Sequence, residues 1–207
     1  NPGKLLVSVD IMEAAHGCLS AIRADAKAAD VLNPEGLHTE ATAIVWDGDF
    51  MVWRKSRVDA LRAGVDYLAD VKTTSSGLDA HSWERECWKW GYFHQAAWYL
   101  DTHWLLTGEW RARFRWIALT TTAPFMCRVI SIRNLTPDDP LYEQSSLTKA
   151  RLSLGLDPSP RIGRLPMFIA SARQTEEYQR LGTEMTPPLL RATWPAYEQE
   201  DPELTIL

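Results

Sequence analysis

Two apolar segments on either side of a short polar turn constrain the fold of this chain more than any other feature. The segment Phe50 to Leu61 is followed by the turn Arg62 to Asp66, which contains Gly64, and then by the segment Tyr67 to Thr74. Apolar segments of this length joined by a glycine-containing turn are typical of an antiparallel hairpin. We therefore expect two neighbouring strands with a sheet built around them.

Three of the charged residues in this hairpin are candidates for one shared site. Asp59 is near the end of the first segment, and Asp70 and Lys72 lie in the second. Because alternate residues of a strand point to the same face, Asp70 and Lys72 should project together while Val71 points into the core. Hairpin pairing would put Asp59 beside Asp70, where two carboxylates about 4 Å apart repel by roughly 4 kcal/mol at an effective dielectric of about 20. Lys72 would offset part of this repulsion, and a divalent metal ion would offset it more fully.

The remaining apolar patterns predict helices and further strands around the hairpin. Helical spacing covers Val9 to Val31, and a second helix runs from about Ser82 to Leu106 and is ended by Gly108. The predicted strands are Glu40 to Trp46, Phe50 to Leu61, Tyr67 to Thr74, Trp110 to Thr120 and Phe125 to Ile132. This order predicts an α/β (α+β) fold, in which helices flank a mixed central sheet.

The pattern changes after residue 136, which we take as the boundary of the core domain. Leu141 to Leu154 is predicted to be helical, residues 157 to 160 form a proline-containing linker, and Ser171 to Leu181 is predicted to be a further helix. We therefore expect a core at residues 1–136 and a helical and irregular extension at 137–207 that packs on it. The start of the chain lacks an initiator methionine and a signal peptide, so we expect it to be trimmed from something longer.

Composition narrows the class of protein. The chain has 207 residues, of which 45% are hydrophobic and 24% charged, which suits one globular domain with a full core. No apolar run approaches the roughly 20 residues that cross a bilayer, so we expect no membrane partner. The three cysteines, Cys18, Cys87 and Cys127, are odd in number and widely spaced, which argues against a disulfide framework and favours a reducing cytoplasm.

The net charge of −5 means that binding to nucleic acid would depend on local cationic patches. Arg111, Arg113 and Arg115 alternate with apolar residues, which predicts a strand with one cationic and one apolar face. Together with Arg57, these arginines are candidates for contacts with DNA phosphates. A solvated strand face or a subunit contact remains the alternative for the arginine row.

Four motifs together resemble a known superfamily of enzymes. They are Glu40 before the strand segment Val45-Trp46, Lys55-x-Arg57-x-Asp59, Asp70-Val71-Lys72-Thr73-Thr74 and Tyr92-x-x-Gln95-Ala96-Ala97-x-Tyr99. Over about residues 5 to 135, and weakly near residues 194 to 197, the chain resembles the PD-(D/E)XK nucleases and, within them, the exodeoxyribonuclease VIII (RecE-type) family of prophages. The resemblance implies a restriction-endonuclease-like core. This family usually carries a histidine near the metal upstream of the first acid, so either that segment was removed or this branch does without it.

The chemistry of phosphodiester hydrolysis gives the acids a role as ligands for Mg²⁺, for which Mn²⁺ would substitute. We expect Asp59 and Asp70 to bind the ion, with the backbone carbonyl of Val71 as a third ligand. Glu40 would hold a water or a second ion. A lysine ammonium is a cation at neutral pH unless strongly desolvated, so Lys72 is expected to act electrostatically on the attacking water and the phosphate. A surface ion pair between strands is the alternative for this group.

The second helix contributes further candidates. Gln95 and Tyr99 are four residues apart and share a helix face, with Tyr92 close to it. In the resembled family this face borders the site, so Gln95 would bond an acid or a phosphate, and Tyr92 and Tyr99 would contact DNA. Ordinary core packing is the alternative for both tyrosines. A zinc site at Cys87 and His94 is disfavoured because no paired ligand spacing accompanies them.

Three functions follow from this resemblance. The first is a metal-dependent double-stranded DNA exonuclease that digests 5′ to 3′ from DNA ends and leaves 3′ single strands for a single-strand annealing recombinase, acting as a ring-like homo-oligomer. The second is a structure-specific or restriction-type endonuclease on the same core. The third is a catalytically inactive DNA-binding or assembly module.

Overall fold

A five-stranded mixed sheet lies at the centre of the computed structural model, which describes residues 7–156. The strands are β1 (Leu37–Asp47), β2 (Val52–Arg62), β3 (Tyr67–Thr74), β4 (Arg113–Thr120) and β5 (Cys127–Arg133). The α-helices are α1 (Val9–Ala24), α2 (Ala26–Val31), α3 (Ala80–Lys89), α4 (Tyr92–Thr107) and α5 (Ser146–Ser153). In this part of the chain, no helix is long and apolar enough to span a bilayer.

The strands follow one another across the sheet in chain order, β1-β2-β3-β4-β5. All neighbouring pairs are antiparallel except β3 and β4, which are parallel. A parallel pair needs a crossover connection, and α3 and α4 provide it. The predicted α+β class with a mixed sheet and flanking helices is confirmed, and the architecture is consistent with a restriction-endonuclease-like fold.

Apolar cores lie on both faces of the sheet. The larger one joins α3, α4 and α5 to the sheet and includes Phe93, Phe114 and Trp116. The second one joins α2 to the opposite face around Tyr67 and Ile117. Inner strands are therefore covered on both sides, and this coverage decides which charged side chains reach solvent.

Two predicted long helices are each divided in the structure. The segment 9–31 forms α1 and α2, because Asp25 leaves helical conformation and its carboxylate accepts a hydrogen bond from the Ala28 N–H at 2.8 Å. The segment 82–106 forms α3 and α4, because Gly91 has a left-handed φ of 72° that only glycine adopts at little cost. Gly108 ends α4 as predicted, with φ 74°.

Other boundaries shift by a few residues. β1 begins at Leu37 rather than at Glu40, and β4 begins at Arg113 rather than at Trp110. The segment predicted to be helical after residue 140 forms a short 3₁₀ turn, Tyr142–Gln144, followed by α5. In the described part of the extension, Leu147 and Ala150 of α5 join the larger core. The linker at 157–160, the helix predicted at 171–181 and residues 194 to 197 lie outside the described residues.

The predicted cationic face of β4 is wrong. β4 is an inner strand with helices on both faces, so alternate side chains are buried on each side. Arg115 is 1% exposed and stacks 3.6 Å from the centroid of the Tyr67 ring. Arg113 donates to Asp66 at 2.6 Å, and the buried Arg111 donates from Nε to His103 at 3.1 Å. These three arginines are largely buried by the surrounding elements and do not form a row along the surface.

Candidate active site

The hairpin register brings the two aspartates together. Ala60 of β2 pairs with Ala69 of β3, which places Asp59 opposite Asp70. The backbone N–H of Val71 donates to Asp59 Oδ2 at 2.9 Å and fixes the orientation of that carboxylate. The N–H and C=O of a strand residue point to the same side of the strand, so the Val71 carbonyl also leaves β3 on the side of β2.

An irregularity in the β1–β2 ribbon lies at this site. Val58 and Leu61 belong to the core under α4, whereas Ala60 packs on the opposite face of the sheet. A regular strand would put Val58 and Ala60 on the same face, so the alternation breaks at Asp59. Opposite this point in β1, Glu40 has a φ of 55°. Strained backbone of this kind costs about 1 to 3 kcal/mol and collects at functional sites.

Asp70 carries unfavourable negative charge in a buried position. Its side chain is 2% exposed, and burial raises its pKa to about 6, against the lowering effect of Lys72. The neighbouring Asp59 raises this pKa further. Lys72 forms an ion pair with Asp70 and lies with its Nζ 4.9 Å from the centroid of the Tyr92 ring. Lys72 thus pairs with Asp70, while the neighbouring Asp59 accepts its hydrogen bond from the neutral Val71 N–H, so an excess negative charge remains.

This donor set fits a hard divalent cation. Two carboxylates and a backbone carbonyl supply only oxygen ligands, and Mg²⁺ typically takes one or two carboxylates and keeps several waters. A positive ion would relieve both the repulsion between Asp59 and Asp70 and the burial penalty on Asp70. Between residues 7 and 156, no group of three or more His, Cys, Asp or Glu side chains is placed to hold a metal. The protein ligands would thus be Asp59, Asp70 and the Val71 carbonyl.

Among the described residues, Glu40 does not group with the two aspartates, and its role in holding a water or a second ion stays a prediction. It forms an ion pair with Arg57, and both side chains are more than half exposed. The left-handed conformation of Glu40 and its pairing with Arg57 account for this position. Arg57 is on the surface, as a contact with DNA would require.

Comparison with known proteins assigns the chain to a family. The sequence profile of the PDDEXK-like domain of unknown function (DUF3799) matches residues 1–150. The chain belongs to this PDDEXK-like family. No curated protein matches the chain. Membership supports the PD-(D/E)XK superfamily, while the exodeoxyribonuclease VIII family stays a prediction.

Among solved structures, the chain is similar to the crystal structure of a "Putative exonuclease" from Eubacterium rectale. The two share 18% sequence identity with a TM-score of 0.49. The match covers 69% of this chain and 51% of that one, so the chain spans about half the length of this relative.

In this PDDEXK-like domain, the three predicted residues of α4 differ in their contacts. Gln95 Nε2 donates to the Tyr99 hydroxyl at 3.2 Å, and Tyr99 packs on Phe114. Gln95 Oε1 is buried and has no hydrogen-bond partner, which is uncommon for a buried amide oxygen. Tyr92 contacts the site through its ring, whose centroid lies 4.9 Å from Lys72 Nζ. Gln95 is thus a candidate for binding a group that enters the site.

The disfavoured zinc site gains no support from the geometry. Cys87 is fully buried, and burial raises the pKa of its thiol to about 12. The imidazole of His94 lies 3.0 Å from the Ser153 hydroxyl.

The sequence did not predict a polar cavity beside Lys72. This cavity has a volume of about 330 Å³ and is lined by Thr73, Thr74, Ser75, Ser76, Glu86, Lys89, Trp90 and Tyr92. Its hydroxyl-bearing wall follows Lys72 directly in β3, and Tyr92 borders both the cavity and Lys72. The run of four hydroxyl residues after Lys72 is the signal in the sequence that could have indicated it.

Proposed function

We propose that this chain is a metal-dependent double-stranded DNA exonuclease that digests 5′ to 3′ and leaves 3′ single strands. The carrying observation is the convergence of Asp59, Asp70 and Lys72 at one point of the β2–β3 hairpin. Membership of the PDDEXK-like family supports a nuclease. The DNA substrate and the polarity rest on the resemblance stated above.

Asp59, Asp70 and the carbonyl of Val71 would hold Mg²⁺, or Mn²⁺ in its place. The ion would supply a water of lowered pKa and charge neutralisation at the phosphoryl oxygens. The protein prepares this site by keeping Asp70 buried and by fixing Asp59 through the Val71 N–H. Both carboxylates are therefore positioned before the substrate binds, which reduces the reorganisation needed during the reaction.

Lys72 provides the fixed positive charge of the site. Its ammonium is held between the Asp70 carboxylate and the face of the Tyr92 ring. From this position it would donate hydrogen bonds to a phosphoryl oxygen and stabilise the charge that grows there in the transition state. Lys72 thus orients the phosphate and does not need to remove a proton.

An activity assay on two forms of the same DNA tests the proposal. Purified protein with Mg²⁺ should release nucleotides from linear duplex DNA and leave covalently closed circular DNA intact, and chelation by EDTA should stop the release. Blocking the 5′ ends should slow digestion more than blocking the 3′ ends. Cleavage of closed circles would support the endonuclease instead, and DNA binding without cleavage would support the inactive binding module.

The partners of this activity are part of the same proposal. We infer a cytoplasmic ring-like homo-oligomer around DNA ends that supplies 3′ strands to a single-strand annealing recombinase. Exposed apolar side chains along α1 support an association between subunits; they are Val9, Ile11, Met12 and Leu19. Light scattering of the purified protein tests the oligomer, since a monomer across the working concentration range would contradict it.

A further inference from the structure

The break between α3 and α4 creates a feature that the proposed chemistry does not use. Trp90 follows the last residue of α3 and precedes Gly91, and it is 58% exposed. The indole Nε1 donates to Glu86 Oε2 at 2.9 Å, one helical turn earlier. An exposed tryptophan whose orientation is fixed in this way offers a flat surface without the entropy cost of ordering it on binding.

Trp90 forms one wall of the polar cavity beside Lys72. On another wall, Ser76 donates from its hydroxyl to Glu86 Oε1 at 3.0 Å, and its backbone N–H donates to the Thr74 hydroxyl at 2.9 Å. The Glu86 carboxylate therefore accepts hydrogen bonds from both walls of the cavity, from Ser76 in the loop after β3 and from Trp90. Lys89 lies with its Nζ 4.7 Å from the centroid of the Trp90 ring.

The charge of the cavity decides which part of a nucleic acid it suits. Glu86 and Lys89 both line the cavity, so its walls carry one charge of each sign; the Glu86 carboxylate would repel a phosphate group at short range, while the Lys89 ammonium lies beside the Trp90 ring. An aromatic face combined with hydroxyls and a carboxylate acceptor suits a nucleobase, which stacks on the ring and donates hydrogen bonds from its edge. The cavity lies close to Lys72, because Thr74 projects from the same face of β3 two residues later and Tyr92 contacts Lys72, and both residues line the cavity. A base next to the scissile phosphate would therefore reach this cavity.

We propose that this cavity is a subsite for a nucleobase adjoining the cleaved bond, with Trp90 as the stacking platform and Glu86 as the residue that positions it. This inference rests on the proposed nuclease function, whose site it extends. It assigns substrate contacts to a segment, residues 73–76 with 86–92, that lies outside the acid and lysine motif. Since every base has an aromatic face, the subsite would favour unpaired bases and accept any sequence.

Abasic substitution tests the subsite through activity. A set of linear substrates would each lack one base within three nucleotides of the cleaved bond, on either side. For the wild-type protein, one position should raise KM by roughly tenfold, the range expected for loss of one stacked base. Trp90→Ala should show the same rise on the intact substrate and no further rise on that abasic substrate, because the two changes remove one interaction.

Two further variants control this result. Trp90→Phe keeps an aromatic face and should retain most of the wild-type KM. Trp88→Phe alters a neighbouring exposed tryptophan that packs on Phe93 and does not line the cavity, so it should behave as wild type. If Trp90→Ala leaves KM unchanged, or if its effect adds to that of every abasic position, the subsite is wrong even where cleavage itself is robust.

A binding measurement without metal separates this inference from the nuclease proposal. Single-stranded oligonucleotides carrying 2-aminopurine near one end would be titrated with protein in EDTA. Stacking on Trp90 should quench the fluorescence of one labelled position, and Trp90→Ala should abolish the quenching while Trp90→Phe and Trp88→Phe retain it. Quenching in a protein that cleaves nothing would overturn the nuclease and keep the base site. Cleavage with equal fluorescence in wild type and Trp90→Ala would keep the nuclease and overturn the base site.

Discussion

Strands β3 and β4 lie side by side and carry the same alternation of charged and apolar residues, yet their charged side chains have different surroundings. On β4, Arg113 pairs with the partly exposed Asp66, while the buried Arg115 stacks on the Tyr67 ring and leaves its Nε and one terminal nitrogen without a hydrogen-bond partner. On β3, Asp70 and Lys72 meet a second acid from β2, so negative charge remains in excess. Alternation alone does not mark a functional strand. Two carboxylates brought together beside a single cation do, because their mutual repulsion is relieved by a bound metal ion.

Replacing Asp70 is expected to have the largest effect. Asp70→Asn should lower cleavage about a hundredfold or more, because it removes a metal ligand. The same change should stabilise the metal-free protein at neutral pH, since the raised pKa of about 6 corresponds to a penalty of up to about 3 kcal/mol for keeping the carboxylate ionised. Nucleotide release and thermal unfolding in EDTA measure the two effects.

The pH dependence of the free energy of unfolding shows whether the ionised Asp70 destabilises the folded protein. The folded-state pKa of Asp70 lies above its ordinary 3.8, so the folded protein binds this proton more tightly than the unfolded chain does. Stability from this group should therefore rise as pH falls from 7 towards 4, and Asp70→Asn should flatten that rise. Asp66→Asn is the matched control, because Asp66 pairs with Arg113 away from the site. A loss of stability in Asp70→Asn would contradict the charge excess.

Lys72→Met should have the next largest effect. Removing a positioned cation from the phosphate should lower kcat by roughly a hundredfold to a thousandfold, with a smaller change in KM. Lys149→Met, on the exposed side of α5, controls for the loss of one positive charge from the chain. Steady-state kinetics on linear DNA measure both constants. Equal kcat values for the two variants would mean that Lys72 has no role in catalysis, as is expected for the arginines of β4.

Arg115→Met tests the other half of the comparison. Exchanging a buried, stacked arginine for an apolar side chain of similar length should change the free energy of unfolding by only about 1 kcal/mol and leave cleavage intact. The exposed Arg57 is the matched cation, and Arg57→Met should weaken DNA binding and reduce the slope of log K against log salt by about 1. If Arg115→Met reduced that slope while Arg57→Met did not, Arg115 would contact DNA, which would contradict its burial in β4.

The sequence predicted the acid pair because both of its causes are local. A short turn with Gly64 fixes the hairpin, and alternation then fixes which side chains share a face. The burial of Arg111, Arg113 and Arg115 could not be predicted in this way, since it depends on the strands and helices that come to surround β4. Alternation describes two faces but does not say what covers them.

The break between α3 and α4 and the polar cavity could not be predicted from the sequence, for related reasons. A single glycine within a helical pattern costs only about 1 kcal/mol, so Gly91 was compatible with one long helix. The cavity combines residues from the end of β3 with residues from the end of α3, and these meet only in the folded chain. Glu40 was expected at the metal because it opens the predicted strand, but the strand begins three residues earlier and its backbone is irregular there.

Replacing Glu40 is expected to have the smallest effect. The substitution tests whether the site extends to β1. Because Glu40 is paired with Arg57 at the surface, Glu40→Gln should leave kcat and its dependence on Mg²⁺ concentration close to wild type. Exposed ion pairs contribute only about 0 to 1 kcal/mol, so stability should hardly change. Releasing Arg57 from its carboxylate should slightly strengthen DNA binding at low salt. A large loss of kcat with a weaker response to Mg²⁺ would instead mean that Glu40 turns inward to the ion when DNA is bound, and that the site extends to β1.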